Sequence, residues 1–163
     1  MTSERFKGYL TAEPRDATYR ALLQNIARYS TSASLVARPE FGLSSEGEKI
    51  VRELTPWRRS VRTVSSWPGT RLLEGGTAEL QTYEVHRESL ELLQRAVPGL
   101  FGWIEGYPED LAFYRADGSV ILWSVAHEAE GELEVDSEEK DCLMQASGFD
   151  VCIVWRATGD QAR

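Results

Sequence analysis

Histidine and cysteine are scarce in these 163 residues, with two of each, and that scarcity removes whole classes of chemistry. His86 and His127 are the only imidazoles, so any His-dependent mechanism must use one of them. His127 is followed by Glu128 but by no second His four residues on, which excludes a zincin helix. Cys142 and Cys152 lack the spacing of a metal or redox motif and read as two buried, reduced thiols. No nucleophile elbow, Walker loop or dinucleotide-binding glycine pattern occurs; Gly75-Gly76 and Gly99 to Gly102 are turns. No cofactor or metal is therefore expected. No apolar run approaches the roughly 18 to 20 residues that a membrane span requires. Met1 to Lys7 carries charge without an apolar signal core behind it, so the expected location is cytoplasmic.

What is present is an ordinary globular composition. A hydrophobic share of 42%, with five Trp, six Tyr and five Phe, is enough for a core without staples. One domain over residues 1–163 is expected, with residues 1–10 and 157–163 as loose tails. No low-complexity linker divides the chain, and the one conceivable seam, near Pro98 to Tyr107, leaves too little core on either side for two domains.

The stretch Tyr107 to Asp136 organises the rest. Asp117-Gly118 joins the apolar runs 111–114 and 120–126, and a two-residue type I′ turn is predicted because Asp and Gly accept positive φ cheaply. That turn sets Tyr114 opposite Ile121, Phe113 opposite Leu122 and Ala112 opposite Trp123. A second turn near Ala129 to Gly131 returns the chain into a third strand, in which Leu133 and Val135 alternate with Glu132 and Glu134.

Helical spacing of Tyr19, Leu22, Leu23, Ile26 and Tyr29 predicts a helix from Pro14 to Tyr29. Leu35 to Ala37 reads as a short strand ended by Pro39. Ser45 and Glu48 form a capping box for a second helix that Pro56 stops. Val61 to Val64 alternates as a strand, Trp67 to Thr70 is a bend, and Gly75-Gly76 is expected to join Arg71–Glu74 to Thr77–Val85 as a hairpin. A third helix spans Arg87 to Ala96, ended by Pro98-Gly99. Asp136 and Glu139 form a second capping box, for a helix from Ser137 to Ala146. Val151 to Trp155, apolar on both faces, reads as an interior strand. The order α β α β β α β β β α β predicts an α+β fold with a largely antiparallel sheet and about four helices packed on it.

The net charge of −8 is uneven: residues 1–82 carry 12 Lys and Arg against 9 Asp and Glu, whereas residues 83–163 carry 6 against 17. From Glu128 to Asp141, eight acids oppose Lys140 alone, a local −7. Nucleic acid is repelled by such a segment and a basic protein attracted. If Leu133 and Val135 are buried, Glu132 and Glu134 share the exposed face, with Glu128, Glu130 and Asp136 beside them and the helix-start acids Glu138 and Glu139 beyond. These residues are the candidate partner-binding strip, although a charge run is also the ordinary solvated face of a soluble protein. A second candidate patch is Trp57, Arg58 and Arg59, with Arg52 and Arg62 nearby, which serves either as a partner contact or as a helix-end Trp under solvated arginines. Enzyme-like groupings are weaker. Ser124, His127 and Glu128 lie close in sequence, but strand alternation points His127 away from the other two. Glu105, Glu109 and Asp110 around Pro108 offer acid and base or cation ligation, and equally ordinary turn chemistry.

In type, although not in any residue motif, the chain resembles immunity proteins, small acidic bacterial α+β proteins that neutralise a toxin by covering its basic surface. The resemblance implies a non-enzymatic, antitoxin-like protein with a basic protein partner, and it assigns no residue. The alternatives are a small enzyme with a carboxylate or His site and a ligand-binding regulatory module.

Overall fold

Alternating burial along short strands assembles one sheet. In a computed structural model, which describes residues 3–159, the elements in chain order are β1 (Arg5–Leu10), α1 (Asp16–Ile26), β2 (Ser32–Ala37), α2 (Ser45–Leu54), β3 (Arg58–Val64), β4 (Ser66–Trp67), β5 (Thr70–Arg71), β6 (Ala78–Glu84), α3 (Arg87–Ala96), β7 (Glu109–Tyr114), β8 (Val120–Val125), β9 (Glu130–Asp136), α4 (Ser137–Leu143) and β10 (Ile153–Ala157). Eight strands form one sheet in the order β10-β1-β9-β8-β7-β2-β6-β3, and β4 pairs with β5 in a separate small hairpin. Every neighbouring pair is antiparallel. The fold is α+β, as the element pattern predicts.

The pairing register assigns the two faces, because directly opposed residues share a side. Leu133 faces Leu122, Leu122 faces Phe113, Phe113 faces Ala33 and Ala33 faces Tyr83. All five join one buried cluster with Leu22, Leu23 and Ile26 of α1, Ile50 and Leu54 of α2, Leu90 and Leu93 of α3 and Leu143 of α4. The helices therefore cover this side of the sheet. Buried polar groups on it are paired: the Tyr19 hydroxyl donates to the Leu93 carbonyl at 2.8 Å and accepts from the Trp103 indole at 3.1 Å, tying α1 to α3 and to the turn after it. Desolvation pushes that phenol's pKa upward.

On the other side, Val36, Trp67, Ala78 and Leu80 make a second, small cluster. The β4–β5 hairpin covers it, with its tip at Gly69 resting against Trp123 and Val125. Among the described residues, the remainder of this face, along β8, β9, β1 and β10, carries no helix.

Several expectations are corrected. Residues 5–10 are not a tail: β1 is inserted between β9 and β10. Its inward residues are Phe6, Gly8 and Leu10, and the glycine interrupts the alternation by which a strand is recognised in sequence. The last strand is an edge rather than an interior strand. It starts at Ile153, Val154 stays 48% exposed, and Val151 lies in a short turn before it, 74% exposed. Of the C-terminal residues expected to be loose, Ala157 closes β10 and Thr158 donates to the Arg5 carbonyl, while residues 160–163 lie outside the described residues. The strand β6 pairs with β3 and β2 and not with Arg71–Glu74, because Thr70 and Arg71 are taken up by Trp67 and Ser66 in the small hairpin that the tight turn at Trp67 to Thr70 closes. Ser44, one residue earlier than expected, caps α2 by accepting from the Gly47 N–H at 3.0 Å.

The central turn also differs. Gly118 N–H donates to the Arg115 carbonyl and Arg115 N–H to the Ser119 carbonyl. Within the loop only Gly118 has positive φ, at 84°. The connection is thus a three-residue loop, a type I turn closed by a left-handed glycine. The extra residue shifts the pairing, so Tyr114 faces Val120 instead of Ile121, while Phe113 still faces Leu122. By contrast the capping box at α4 forms as predicted: the Asp136 carboxylate accepts from Glu139 N–H and the Glu139 carboxylate from Asp136 N–H, both at 2.9 Å.

Candidate functional site

The burial of Leu133 and Val135 against the helices sends Glu130, Glu132, Glu134 and Asp136 to the uncovered face of β9. Their neighbours there are Arg5, Lys7 and Tyr9 of β1, opposite Asp136, Glu134 and Glu132, and Trp123 of β8, opposite Glu132. Glu128, Glu130 and Glu134 are exposed. Glu132 is less so, and its carboxylate lies 3.2 Å from the Lys7 ammonium. That contact raises the pKa of Lys7. Two acids at the far end are committed to structure: Asp136 caps α4, and Glu139 is 5% exposed and bound by Arg115. The strip is therefore narrower than the run of acids in the sequence, and it lies alongside a row of cations on β1 and β10 that includes Arg156, stacked over Tyr9.

The second patch is elsewhere. Trp57 is half-buried against the core and stacks on His86, with centroids 6.0 Å apart and planes at 17°. Arg58 and Arg59 begin the edge strand β3, with Arg59 3.7 Å from Glu84. Five inter-strand steps separate β3 from β9, roughly 24 Å at about 4.8 Å per step. The two patches do not form one surface site.

At one end of the sheet lies a cleft of about 610 Å³, within the range of ligand pockets. Its walls come from the loop after β2 (Arg38, Phe41, Leu43), the loop before β7 (Ile104 to Tyr107), Glu109 and His127. Two loops approach closely to build it. The Gly106 carbonyl accepts from both the N–H and the hydroxyl of Ser44, and it lies so near Gly47 that a β-carbon there would overlap it. Glu105 and Gly106 have positive φ, at 38° and 90°.

The adjacent acids Glu109 and Asp110 take different roles. Asp110 adopts φ 58° and is 2% exposed; its carboxylate accepts from the Trp67 indole at 2.8 Å and from Ala126 N–H at 2.9 Å. Burial pushes its pKa up, and these two donors oppose that rise. Glu109 lines the cleft, half-buried, and its side chain has no hydrogen-bond or ion-pair partner among the described residues. Burial, reinforced by Asp110, raises its pKa too. Arg38 binds Glu40 through two nitrogens, at 2.8 and 2.7 Å, with its guanidinium 5.1 Å from the Phe41 ring centre.

Ser124, His127 and Glu128 are not brought together. Ser124 is fully buried and donates to the Leu111 carbonyl at 2.8 Å, while His127 and Glu128 lie exposed in the turn after β8, 3.6 Å apart. Among the described residues, no three His, Cys, Asp or Glu side chains converge as metal ligands would, Glu105, Glu109 and Asp110 included. The cleft residues Arg38, Phe41 and Tyr107 carry no local signal of a site. They meet only because β2 and β7 are sheet neighbours. Comparison with protein-family models, with curated proteins and with solved structures returned no match.

Proposed function

We propose that the protein is a non-enzymatic binding module of the immunity or adaptor kind, which covers a basic protein surface with the acidic strip of β9 and the preceding turn. One observation carries the reading: Glu130, Glu132 and Glu134 lie on a face of the sheet that no helix among the described residues covers, with Glu128 exposed in the turn before them and Trp123, partly covered by the β4–β5 tip, opposite Glu132. Acids on an open face set the local field, steer a cationic partner and suppress anionic ones, nucleic acid included. An aromatic residue among them supplies contact area at low entropic cost. The exposed acids contribute little to folding, so they are free to serve association.

The test uses the protein encoded by the neighbouring gene as the candidate partner, with association followed by surface-based kinetics. The on-rate should fall as salt rises, because exposed charges are screened beyond about 10 Å at 0.1 M ionic strength. Replacing Glu132 and Glu134 together by Gln should slow association at low salt and matter little at high salt. Wild-type on-rates for the double variant at low salt would reduce the strip to a solvated face.

A further inference from the structure

We infer that the cleft between the β2 and β7 loops receives a single lysine or arginine side chain from the partner, its cation against Glu109 and its aliphatic stem along Phe41, Ile104 and Tyr107. The inference rests on the binding-module reading above and adds an anchor to it.

Three observations converge on a cation. First, Glu109 stands apart from the buried acids: Asp110 accepts two hydrogen bonds and Glu139 is held by Arg115, yet Glu109 has no partner among the described residues. A half-buried carboxylate that keeps only water for a partner is less fully hydrated than an exposed one, and an incoming cation would add a charge-assisted contact. Second, the cleft is negative on balance. Among the described residues Arg38 is the one guanidinium lining it and is already met by Glu40, whereas Glu105 and Glu109 line it beside His127 and Asp110 lies behind. A phosphate or carboxylate ligand is disfavoured by that count. Third, the walls suit the long methylene stem of a basic side chain: Ile104, Leu43 and Tyr107 are apolar or aromatic, and Phe41 is 69% exposed at the mouth. Arg38, placed over the Phe41 ring, already shows how a guanidinium sits against this wall. The cleft is also continuous with the acidic strip, since His127 lines it and the next residue is Glu128. One partner can therefore engage both, with the cleft as the buried anchor and the strip as its charged rim.

The experiment titrates the full chain with the blocked tripeptide acetyl-Gly-Arg-Gly-amide, following backbone amide resonances, and repeats it with norleucine in place of arginine. The arginine peptide should give saturable shifts at Gly106 and Glu109, and the norleucine peptide none. Glu109→Gln should weaken binding by about tenfold, the loss of one charge-assisted contact. Phe41→Ala, on an exposed side chain that folding does not need, should weaken it as well and serves if the first variant is unstable. Absence of saturable shifts, or wild-type affinity in both variants, overturns the inference. Peptide and partner readouts fail separately. A partner that associates with the expected salt dependence while the peptide does not bind removes the cleft alone, whereas peptide binding beside salt-insensitive partner association removes the strip alone.

Discussion

Removing Arg115 should be the costliest single change on the sheet's second half. Its guanidinium donates to both Glu139 oxygens, at 2.8 and 2.6 Å, and also to the Glu134 carbonyl, the Ser119 hydroxyl and the Val120 carbonyl. With side chains only 15% and 7% exposed, the pair is sheltered from solvent screening and joins the β7–β8 loop, β9 and α4. Arg115→Met leaves the Glu139 carboxylate buried with little more than Asp136 N–H. Breaking one partner of a buried pair costs roughly 3–5 kcal/mol, and at this chain length each kcal/mol lowers Tm by about 2–4 °C. A drop of roughly 10 °C is therefore expected, whereas Arg115→Met with Glu139→Leu should recover most of it, because no charge is then stranded. The double-mutant cycle from urea titrations should return a coupling of about 2–3 kcal/mol. Acid provides a second reading. Burial alone would raise the Glu139 pKa, but the Arg115 hydrogen bonds and Asp136 N–H outweigh it and hold the pKa below the usual glutamate value. A depressed folded-state pKa means that the stabilisation is complete above the unfolded glutamate pKa and is lost as pH falls through the lowered one. Wild type should begin to lose this share once pH drops below the unfolded glutamate pKa, and Glu139→Gln should show no such loss. If Arg115→Met costs under about 1 kcal/mol, or the double variant is no better than the single, the pair is no more than a surface ion pair and the reasoning fails.

Gly118→Val should destabilise by about 1–2 kcal/mol, the cost of a β-branched residue in the left-handed region, although nothing lies within 4 Å of the site to clash. Gly118→Asn should cost less, and equal Tm for both variants would disprove that the positive φ is what requires glycine. Both cysteines are free and buried, and burial raises the thiol pKa of Cys152, so a thiol reagent should react with neither in the native protein and with both in denaturant. The Arg28 guanidinium lies 3.5 Å from the Cys142 sulfur; rapid native labelling at Cys142 would show that this contact activates it. Loss of partner binding in a folded Cys142→Ala, Cys152→Ala variant would make the thiols functional.

Signals contained within a few residues were legible. The α4 capping box, the extent of α3 and the pairing of Phe113 with Leu122 all depend on local patterns, and all appear as read. What was not legible depends on partners distant in the chain. The strand β1 looks like a charged tail because its inward face holds only Phe6, Gly8 and Leu10, and it becomes a strand when β9 and β10 pair with both of its edges. The apolar run at 151–155 looks interior because Val151 and Val154 are hydrophobic, yet the chain places it at an edge and leaves both exposed. Even the central turn was misread by one residue, because Asp-Gly fits a two-residue loop as well as the last two positions of a three-residue loop, and only the hydrogen bonds of Arg115 separate them.

The acids show the same limit at the candidate site. In sequence the eight from Glu128 to Asp141 are alike; in the fold they divide by what reaches them from elsewhere. Arg115 meets Glu139 from 24 residues upstream, and Lys7, on the strand that looked like a tail, meets Glu132. Glu109 and Asp110 divide in the same way, since a left-handed backbone turns Asp110 inward onto Trp67, 43 residues away, and leaves its neighbour in the cleft. This sorting bears on how strongly the strip can steer. Two of the seven net negative charges counted along that stretch are met by Lys7 and Arg115, and further cations line β1 and β10. The long-range field is therefore weaker than the sequence count suggests, and a partner gains more from short-range contacts than from steering. On the proposed reading, that shifts the expected weight of recognition from the open strip toward the cleft, where Glu109, half-buried and without a partner among the described residues, is screened less than the exposed acids.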